Sequence, residues 1–368
     1  MHEQSKTRRQ PATHPTLVHP PTSLLDLPAL ARRAAVRHVF VKCEGERPLG
    51  SFKVLGGTFA VERALWRVTN IRSSEHLRTA PPRLICASDG NHGLAVASAA
   101  RRAGVPATVF LPNGVDPVRA ERIVAAGARV TWISGTYDEA VKAASQAAVD
   151  GDGLLVQDTS DDPECVVVRD VMHGYGRIAV ELGEQMRTIH DSPTHVFIQA
   201  GVGGLAAAVG HGLRNVLREP ARLITVEPES AACVALALRA GRPVRVPGDL
   251  RTVASMLSCG IASAGALRTL QLLDVSPVLV SEEALANAPA ILRQTGGPDT
   301  TASGAAGVAG LLHVASSPSL RVRHRLDTDS SVLVLATEAA IAPPMSGPVA
   351  RMHPQRPLTP WRGMRFYW

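Results

Sequence analysis

A single lysine, Lys53, stands in the apolar stretch SFKVLGGTFAV of residues 51–61. Phe52, Val54 and Leu55 beside it are too apolar for a free surface, so we expect Lys53 to emerge near buried walls at the start of a helix. Burial would disfavour its ammonium form and lower its pKa, which makes a lysine amine nucleophilic at neutral pH. The stretch therefore indicates an imine-forming lysine, and the alternative is an ordinary solvated one.

The loop QAGVGGLAAAV of residues 199–209 follows an apolar run, HVFIQA, and opens a helical one. Glycines at such a junction let the backbone N–H groups of the loop point towards a bound ligand, and a helix N-terminus favours negative charge. We therefore expect the loop to bind a phosphate group. Two alternatives stay open. The loop is a purely structural turn, or Gly201, Gly203 and Ala206 form a dinucleotide fingerprint with Glu227 as the ribose-binding acid, as in a nicotinamide oxidoreductase.

A second loop, CASDGNHGLAVASAA, places Ser88, Asp89, Gly90 and Asn91 between a strand and a helix. A helix N-cap with an Asx turn would explain these residues without any function. The turn nevertheless offers several donors and one carboxylate at the carboxyl end of a strand, where open α/β sheets bind ligands. Hydride transfer explains neither this turn nor Lys53. A carbonyl cofactor that carries a phosphate explains the lysine, the glycine loop and an amide for the ring oxygen together.

The elements that must position these loops alternate along the chain. Amphipathic or apolar helical runs separate the predicted strands RHVFVKCE, RLICAS, PATVFLP, ARVTWIS, HVFIQA, RLITVEP and SVLVLAT. Such alternation is typical of parallel sheets covered on both faces. We therefore predict an α/β protein of two open parallel-sheet lobes, with the active site in the cleft between them.

Composition narrows the classes of partner. The chain has 368 residues, 45% of them hydrophobic and 19% charged, and it contains no apolar run of about eighteen residues, so we predict two globular domains and no membrane span. Five scattered cysteines without a CxxC pair predict reduced thiols in a cytoplasmic protein and no metal site. The net charge of +7 is compatible with nucleic acid, but only 4% of residues are aromatic and the arginines are dispersed. We therefore expect a small anionic molecule as partner and no nucleic acid.

Six segments, taken in order over about residues 35–340, resemble the pyridoxal-phosphate enzymes of fold type II, the tryptophan synthase β family. They are SFKVLGG, SDGNHGLAVA, HGYGRIAVEL, QAGVGGLAAAV, ITVEPESAACV and SGAAGVAGL. Within that family the chain most resembles the diaminopropionate ammonia-lyases. The resemblance implies an enzyme, a homodimer and a small amino-acid substrate.

The resemblance assigns a role to each site residue. Lys53 is implied to form the Schiff base with pyridoxal 5'-phosphate, and Asn91 to contact the ring 3-hydroxyl. Thr337 falls where the family keeps a hydroxyl beside the pyridine nitrogen, although a hydroxyl that serves only the backbone is the alternative. The phosphate cradle is implied to be Gly201, Val202, Gly203, Gly204 and Leu205, and the residues that grip the substrate are implied to be Ser88, Asp89 and Gly90.

Two acids separate the branches of this family. Threonine dehydratases resemble the second loop but place a small hydroxyl residue where this chain has Asp89, and diaminopropionate ammonia-lyases carry a second aspartate in a QDT segment like that of Asp158. One acid can assist removal of the Cα proton, and the other can hold or protonate a departing β-amine. The implied reaction is α,β-elimination through an aminoacrylate to a 2-oxo acid and ammonia. Serine or threonine dehydration and β-replacement stay open as alternative reactions. For Asp158 the alternative is a helix-capping turn without a catalytic role.

The chain also departs from the family pattern. Cys43 replaces a usual aspartate, Ala302 stands where a glutamate commonly precedes SGAAG, and Ala339 stands where a glycine is expected. The segment SDDPECVVV of residues 160–168 replaces aromatic and glycine residues after QDT. Because that segment would border the substrate, it leaves the identity of the β-group undecided.

The domain organisation follows from the same reading. Residues 1–22 are polar, basic and rich in proline, and predict a flexible leader, whereas residues 341–368 lack periodicity and predict an irregular tail. Between them we expect a large cofactor-binding domain of residues 23–57 and 171–340 and a small mobile domain of residues 58–170.

Overall fold

The computed structural model of the protein describes residues 20–75 and 82–340. The predicted leader and tail lie outside the described residues, apart from residues 20–22, of which Thr22 is buried. The described residues from Thr22 onwards belong to one compact unit. None of the helices in these ranges is both long enough and apolar enough to cross a membrane.

Strands and helices alternate along most of the described chain. The strands are β1 (Leu24–Asp26), β2 (His38–Cys43), β3 (Leu84–Ala87), β4 (Ala107–Pro112), β5 (Arg129–Ile133), β6 (Leu154–Leu155), β7 (His195–Gln199), β8 (Arg222–Pro228), β9 (Ser276–Val280) and β10 (Ser331–Ala336). The helices are α1 (Pro28–Ala34), α2 (Lys53–Glu75), α3 (Asn91–Ala103), α4 (Pro117–Ala125), α5 (Tyr137–Val149), α6 (Val166–Ile189), α7 (Gly204–Leu213), α8 (Cys233–Ala240), α9 (Ala264–Leu272), α10 (Glu282–Gln294), α11 (Ala306–Ser316) and α12 (Pro318–His324).

The strands of the described ranges form two sheets. The larger has the order β1-β2-β10-β7-β8-β9 and is parallel except for the pairing of β1 with β2, and the smaller, β5-β4-β3-β6, is wholly parallel. Every residue of β3, β7 and β10 is buried, because helices cover both faces of these central strands. The predicted α/β fold with two parallel sheets is confirmed, and so are the seven predicted strands. β1, β6 and β9 were not predicted.

Helices α2 and α6 cross with their backbones in contact. A Cβ added to Gly174 would lie 2.5 Å from the carbonyl oxygen of Leu55 and 2.7 Å from Cα of Gly56, and a Cβ added to Gly56 would lie 2.7 Å from the carbonyl oxygen of Val171. Only glycine allows so close an approach. Because Lys53 begins α2 and Tyr175 follows Gly174, this crossing fixes where the two side chains meet.

A buried ionic network anchors the chain that leads into Lys53. Arg47 donates to both oxygens of Glu44 at 2.9 Å and to both oxygens of Glu181 on α6, at 3.0 and 2.6 Å. Lys42 donates to Glu181 at 3.0 Å and to the carbonyl oxygen of Thr22 at 2.8 Å. These charged side chains are buried yet paired and hydrogen-bonded, which is the condition for placing charge in a protein interior.

Candidate active site

A cavity of about 800 Å³, measured with its open mouth, lies where the carboxyl ends of the two sheets face each other. It is lined by residues that follow β3, β5, β6, β7 and β10, together with the start of α2 and the segment 256–259. Ligands of open α/β sheets bind at this end of the strands. The residues to which the resemblance assigned a role all line this cavity, namely Lys53, Ser88, Asp89, Gly90, Asn91, Asp158, Thr337 and 201–205.

Lys53 is the first residue of α2, as expected, and its amine points at a carboxylate. The Nζ atom donates to Oδ2 of Asp158 at 2.5 Å and lies 5.5 and 5.8 Å from the ring centres of Phe52 and Tyr175. Burial lowers the pKa of Lys53, but the charge of Asp158 outweighs it, and the pKa lies above the usual lysine value. The expected lowering is therefore wrong, because the sequence did not reveal a carboxylate in contact with the amine.

Asp158 has both carboxylate oxygens occupied. Tyr137 donates its hydroxyl proton to Oδ1 at 2.7 Å, and Lys53 donates to Oδ2. Burial raises the pKa of Asp158, but the charge of Lys53 and these hydrogen bonds lower it further, so the carboxyl stays ionised far below neutral pH. Asp158 serves the cavity and does not cap a helix.

Asp89 behaves in the opposite way. Burial, reinforced by the negative charge of Asp158, raises the pKa of Asp89 to about 8, and its carboxylate accepts no hydrogen bond from the described residues. Asp89 and Asp158, which line the same cavity as Lys53, therefore differ in protonation near neutral pH. Such a separation of pKa values is what general acid and base roles require.

The turn around Asp89 is held by Ser88. The hydroxyl oxygen of Ser88 accepts hydrogen bonds from the N–H groups of Gly90 and Gly93, each at 2.8 Å, so it caps α3. A serine that accepts two hydrogen bonds still has its own proton to donate. Gly90 has φ of +138°, and a Cβ there would lie 2.8 Å from Cδ of Arg119. The capping alternative is therefore realised only in part: Ser88 accepts from the first turn of α3, but the N-cap residue is Gly90 and Asp89 forms no Asx turn among the described residues.

The glycine loop presents unpaired donors to the cavity. The N–H groups of Gly201, Val202 and Gly203 donate to no other described residue, and the first N–H groups of α7 have no partner within their helix. Gly203 has φ of +97°, the left-handed conformation that favours glycine. A cradle of backbone donors at the start of a ten-residue helix fits a phosphate.

Two further polar groups face the cavity: Thr337 follows β10 of the larger sheet, and Asn91 begins α3, which follows β3 of the smaller sheet. The amide nitrogen of Gln199 donates to Oγ1 of Thr337 at 2.9 Å, so the hydroxyl proton of Thr337 is left to point elsewhere. Asn91 donates to Glu338, and its amide oxygen accepts from Arg119 at 3.2 Å. One N–H of the Asn91 amide remains available to the cavity.

The dinucleotide alternative fails at Glu227. Its carboxylate is fully buried and accepts from the N–H groups of Val234 at 2.7 Å and Ala235 at 2.8 Å, at the start of α8. Burial raises the pKa of Glu227 to about 8. The side chain does not line the cavity and therefore cannot reach a ribose bound there.

Comparison with known proteins decides the family. A protein-family model described as "Pyridoxal-phosphate dependent enzyme" matches residues 16–338. The chain belongs to the pyridoxal-phosphate-dependent enzymes. The predicted membership, the predicted fold type II architecture and the predicted cofactor are confirmed.

Relatives of this pyridoxal-phosphate-dependent enzyme fall in two groups. Diaminopropionate ammonia-lyase of Escherichia coli K12 is 33% identical over 335 residues, which cover 86% of this chain and 84% of that protein. A human protein described as serine dehydratase-like is 33% identical over 265 residues, covering 72% and 73%. The crystal structure of the E. coli ammonia-lyase with an aminoacrylate–pyridoxal-phosphate intermediate matches with a TM-score of 0.77 at 30% identity, covering 89% of this chain and 86% of that one.

The cavity of this pyridoxal-phosphate-dependent enzyme fits the cofactor. Lys53 would hold its aldehyde carbon, residues 201–205 its phosphate, Asn91 its ring oxygen and Thr337 its ring nitrogen. The fit rests on the unpaired N–H groups of the loop and on the free donors of Asn91 and Thr337.

The sequence analysis gave no role to Tyr137, Tyr175, Gln199 and Glu338, which line the cavity, or to Arg119, which contacts Glu338. Arg119 on α4 and Glu338 after β10 form an ion pair at 3.3 Å, with side chains 5% and 4% exposed. The signal available was position: Tyr137, Gln199 and Glu338 all stand at or just beyond the carboxyl end of a predicted strand. Tyr175 stands in the segment HGYGRIAVEL, which carried the resemblance without a role for the tyrosine, and nothing in the sequence pointed to Arg119.

Proposed function

We propose that this enzyme catalyses α,β-elimination on an amino acid with a β-amino group, such as 2,3-diaminopropionate, and releases a 2-oxo acid and ammonia. The observation that carries the proposal is a pair of carboxyl groups in one cavity with Lys53: Asp158 accepts hydrogen bonds from Lys53 and Tyr137, whereas Asp89 accepts none from the described residues. Their pKa values are accordingly shifted in opposite directions. The 33% identity to a diaminopropionate ammonia-lyase supports the choice of substrate. Of the three carboxyl groups that line the cavity, Asp158 and Glu338 are paired with Lys53 and Arg119, which leaves Asp89 to meet an additional amine of the substrate.

Pyridoxal phosphate, when bound, withdraws electrons from Cα of an attached amino acid and so makes its proton acidic. Lys53 and Asp158 act together at one side of the cavity. The ionised Oδ2 of Asp158, 2.5 Å from Nζ, holds the Lys53 side chain in place. The Lys53 amine is neutral when a substrate amine has displaced it from the cofactor, and in that form it can act as the base for the Cα proton.

Asp89 serves the leaving group. At neutral pH its carboxyl, with a pKa of about 8, is largely protonated and can donate to the β-nitrogen. An amine leaves poorly unless it is protonated, so this donation favours cleavage of the Cβ–N bond. A hydroxyl residue in place of Asp89 could not do the same.

The turn before α3 holds the substrate carboxylate. The Ser88 hydroxyl proton and the N–H groups of Asn91 and His92, which donate to no other described residue, point to one place at a helix N-terminus. A carboxylate is stabilised there by the helix dipole.

The assay compares release of 2-oxo acid from 2,3-diaminopropionate, serine, threonine and O-activated serines. We expect 2,3-diaminopropionate to have the highest kcat/KM, and Lys53→Ala to abolish both activity and the yellow colour of the protein. Asp89→Asn should lower kcat with 2,3-diaminopropionate about a hundredfold or more and affect O-activated serines far less, because an activated oxygen leaves without a proton. A dehydratase would instead prefer serine or threonine, and equal loss with every substrate would contradict the role of Asp89.

We also propose the division into domains of residues 23–57 with 171–340 and 58–170, a homodimeric assembly and a cytoplasmic location. The larger sheet draws its strands from the first domain and the smaller sheet from the second, which supports the division. All five cysteines are free thiols, which fits a reducing compartment. Light scattering of the purified protein would test the assembly, and a monomer would contradict it.

A further inference from the structure

Tyr137 stands at the start of α5, directly after the smaller sheet. Its backbone position is fixed by a capping box in which Glu139 accepts from the N–H of Thr136 at 2.5 Å. The neighbouring Asp138 forms an ion pair at 2.9 Å with Arg245, which lies beyond α8. The tyrosine side chain is 7% exposed and lines the cavity. It is therefore a buried hydroxyl in a fixed place.

The hydrogen bond from Tyr137 to Asp158 divides the carboxylate between two partners. Oδ1 accepts from Tyr137 at 2.7 Å and Oδ2 accepts from Lys53 at 2.5 Å. In the proposed function Lys53 is the reacting amine, so its bond to Oδ2 cannot last through the reaction. The bond to Oδ1 does not depend on Lys53 and can persist throughout.

We propose that Tyr137 is a positioning residue that keeps Asp158 oriented and ionised whenever Lys53 is engaged elsewhere. The inference rests on the proposed function for its catalytic meaning. The effect of the Tyr137 hydroxyl on the orientation and ionisation of Asp158 follows from the hydrogen-bond geometry and does not depend on the reaction.

The surroundings of Asp158 decide how much one hydrogen bond matters. The titratable groups that interact with it come from the strands, turns and helices on every side: Lys53, Cys86, Asp89, His92, Tyr137, Tyr175 and Cys259. Lys53 is the cation among them; burial lowers the pKa of His92, so its ring is neutral at neutral pH. Burial raises the pKa of Tyr137 well above its usual value, so the hydroxyl stays a donor at every working pH. Once Lys53 is engaged, Tyr137 supplies the remaining hydrogen bond to the carboxylate that the described residues show.

The first test needs no activity. The carboxyl carbon of Asp158 is titrated by NMR with 13C-labelled aspartate in a Lys53→Met background, with and without Tyr137→Phe, after assignment by Asp158→Asn. Loss of a hydrogen bond to the charged form should raise the pKa of Asp158 by about one unit or more. Glu139→Gln in the same background is the control, because it alters the same helix start without contacting Asp158, and should leave that pKa unchanged.

The second test uses the complete enzyme with pyridoxal phosphate. Tyr137→Phe should lower kcat about ten- to hundredfold with little change in KM, and should move the acid limb of the kcat profile to higher pH. Glu139→Gln should leave the acid limb in place. An unchanged pKa of Asp158, or a fall in kcat without movement of the acid limb, would overturn the proposal. If the wild type releases no 2-oxo acid from any amino acid, the proposed function fails, and the titration still decides the role of Tyr137.

Discussion

Asp89 and Asp158 line the same cavity, but only Asp158 has hydrogen-bond partners for its carboxylate among the described residues. Lys53 and Tyr137 each donate to one oxygen of Asp158, whereas the Asp89 carboxylate accepts no hydrogen bond from the described residues. Hydrogen-bond donors of the protein thus stabilise the ionised form of Asp158, whereas Asp89 lacks such donors and favours its protonated form.

Asp89 should make the apoenzyme less stable as the pH rises. Its pKa is about 8 in the folded chain and 3.8 ordinarily, so the folded state binds the extra proton between these values and stability falls as pH increases through this window. Asp89→Asn removes this penalty. Because the side chain is partly exposed, we expect a gain of only about 1–3 kcal/mol at pH 9, fading towards pH 4, in urea unfolding of the apoenzyme. A variant no more stable than wild type at pH 9 would contradict this.

The crossing of α2 and α6 should not tolerate a methyl group. Gly174→Ala would place a Cβ against the carbonyl of Leu55 and Cα of Gly56, and overpacking of this kind costs roughly 1–3 kcal/mol or more. Gly176→Ala is the matched control, because it lies in the same helix with open space around it and should stabilise by up to about 1 kcal/mol. Thermal unfolding of both variants would show opposite shifts, and similar shifts would refute the backbone contact.

Glu227 should matter for stability and not for the cofactor. Glu227→Ala leaves the first N–H groups of α8 without their buried acceptor, which costs about 1–3 kcal/mol. We expect the affinity for pyridoxal phosphate, measured by absorbance titration of the folded apoenzyme, to stay within about twofold of wild type. A large fall in that affinity, or binding of a nicotinamide dinucleotide that the variant loses, would contradict the assignment.

The ion pair of Arg119 and Glu338 joins α4 to the segment after β10. Arg119→Met leaves the Glu338 carboxylate buried without its charged partner, and we expect a loss of roughly 3–5 kcal/mol in chemical unfolding. Arg119→Met combined with Glu338→Gln should recover most of this loss, because no unpaired charge remains. Arg251→Met breaks an exposed pair with Asp249 and should change stability by less than about 1 kcal/mol. Equal losses for the two arginines would argue against a special role of burial.

The sequence predicted the central strands well because burial on both faces makes them continuous apolar runs. β9 was not predicted because Pro277 interrupts its run of strand-forming residues. The proline is tolerated because β9 lies at the edge of the larger sheet, where an N–H donor can be missing. β1 and β6 have three and two residues, too few for any periodicity.

The residues of the site were predicted better than their electrostatics. Lys53, the glycine loop and the two aspartates each left a local signature, and the fold brings them to one cavity. The sign of the Lys53 pKa shift was wrong because it depends on a contact between residues 105 positions apart. Tyr137 and Arg119 sit on ordinary amphipathic helices, so their pairing with Asp158 and Glu338 exists only in three dimensions.

The contact of Gly56 with Gly174 limits how the active site can vary. Main-chain contact between α2 and α6 sets the position of the backbone from which the Lys53 side chain extends. Side chains elsewhere in the cavity can therefore differ without moving the main chain at Lys53.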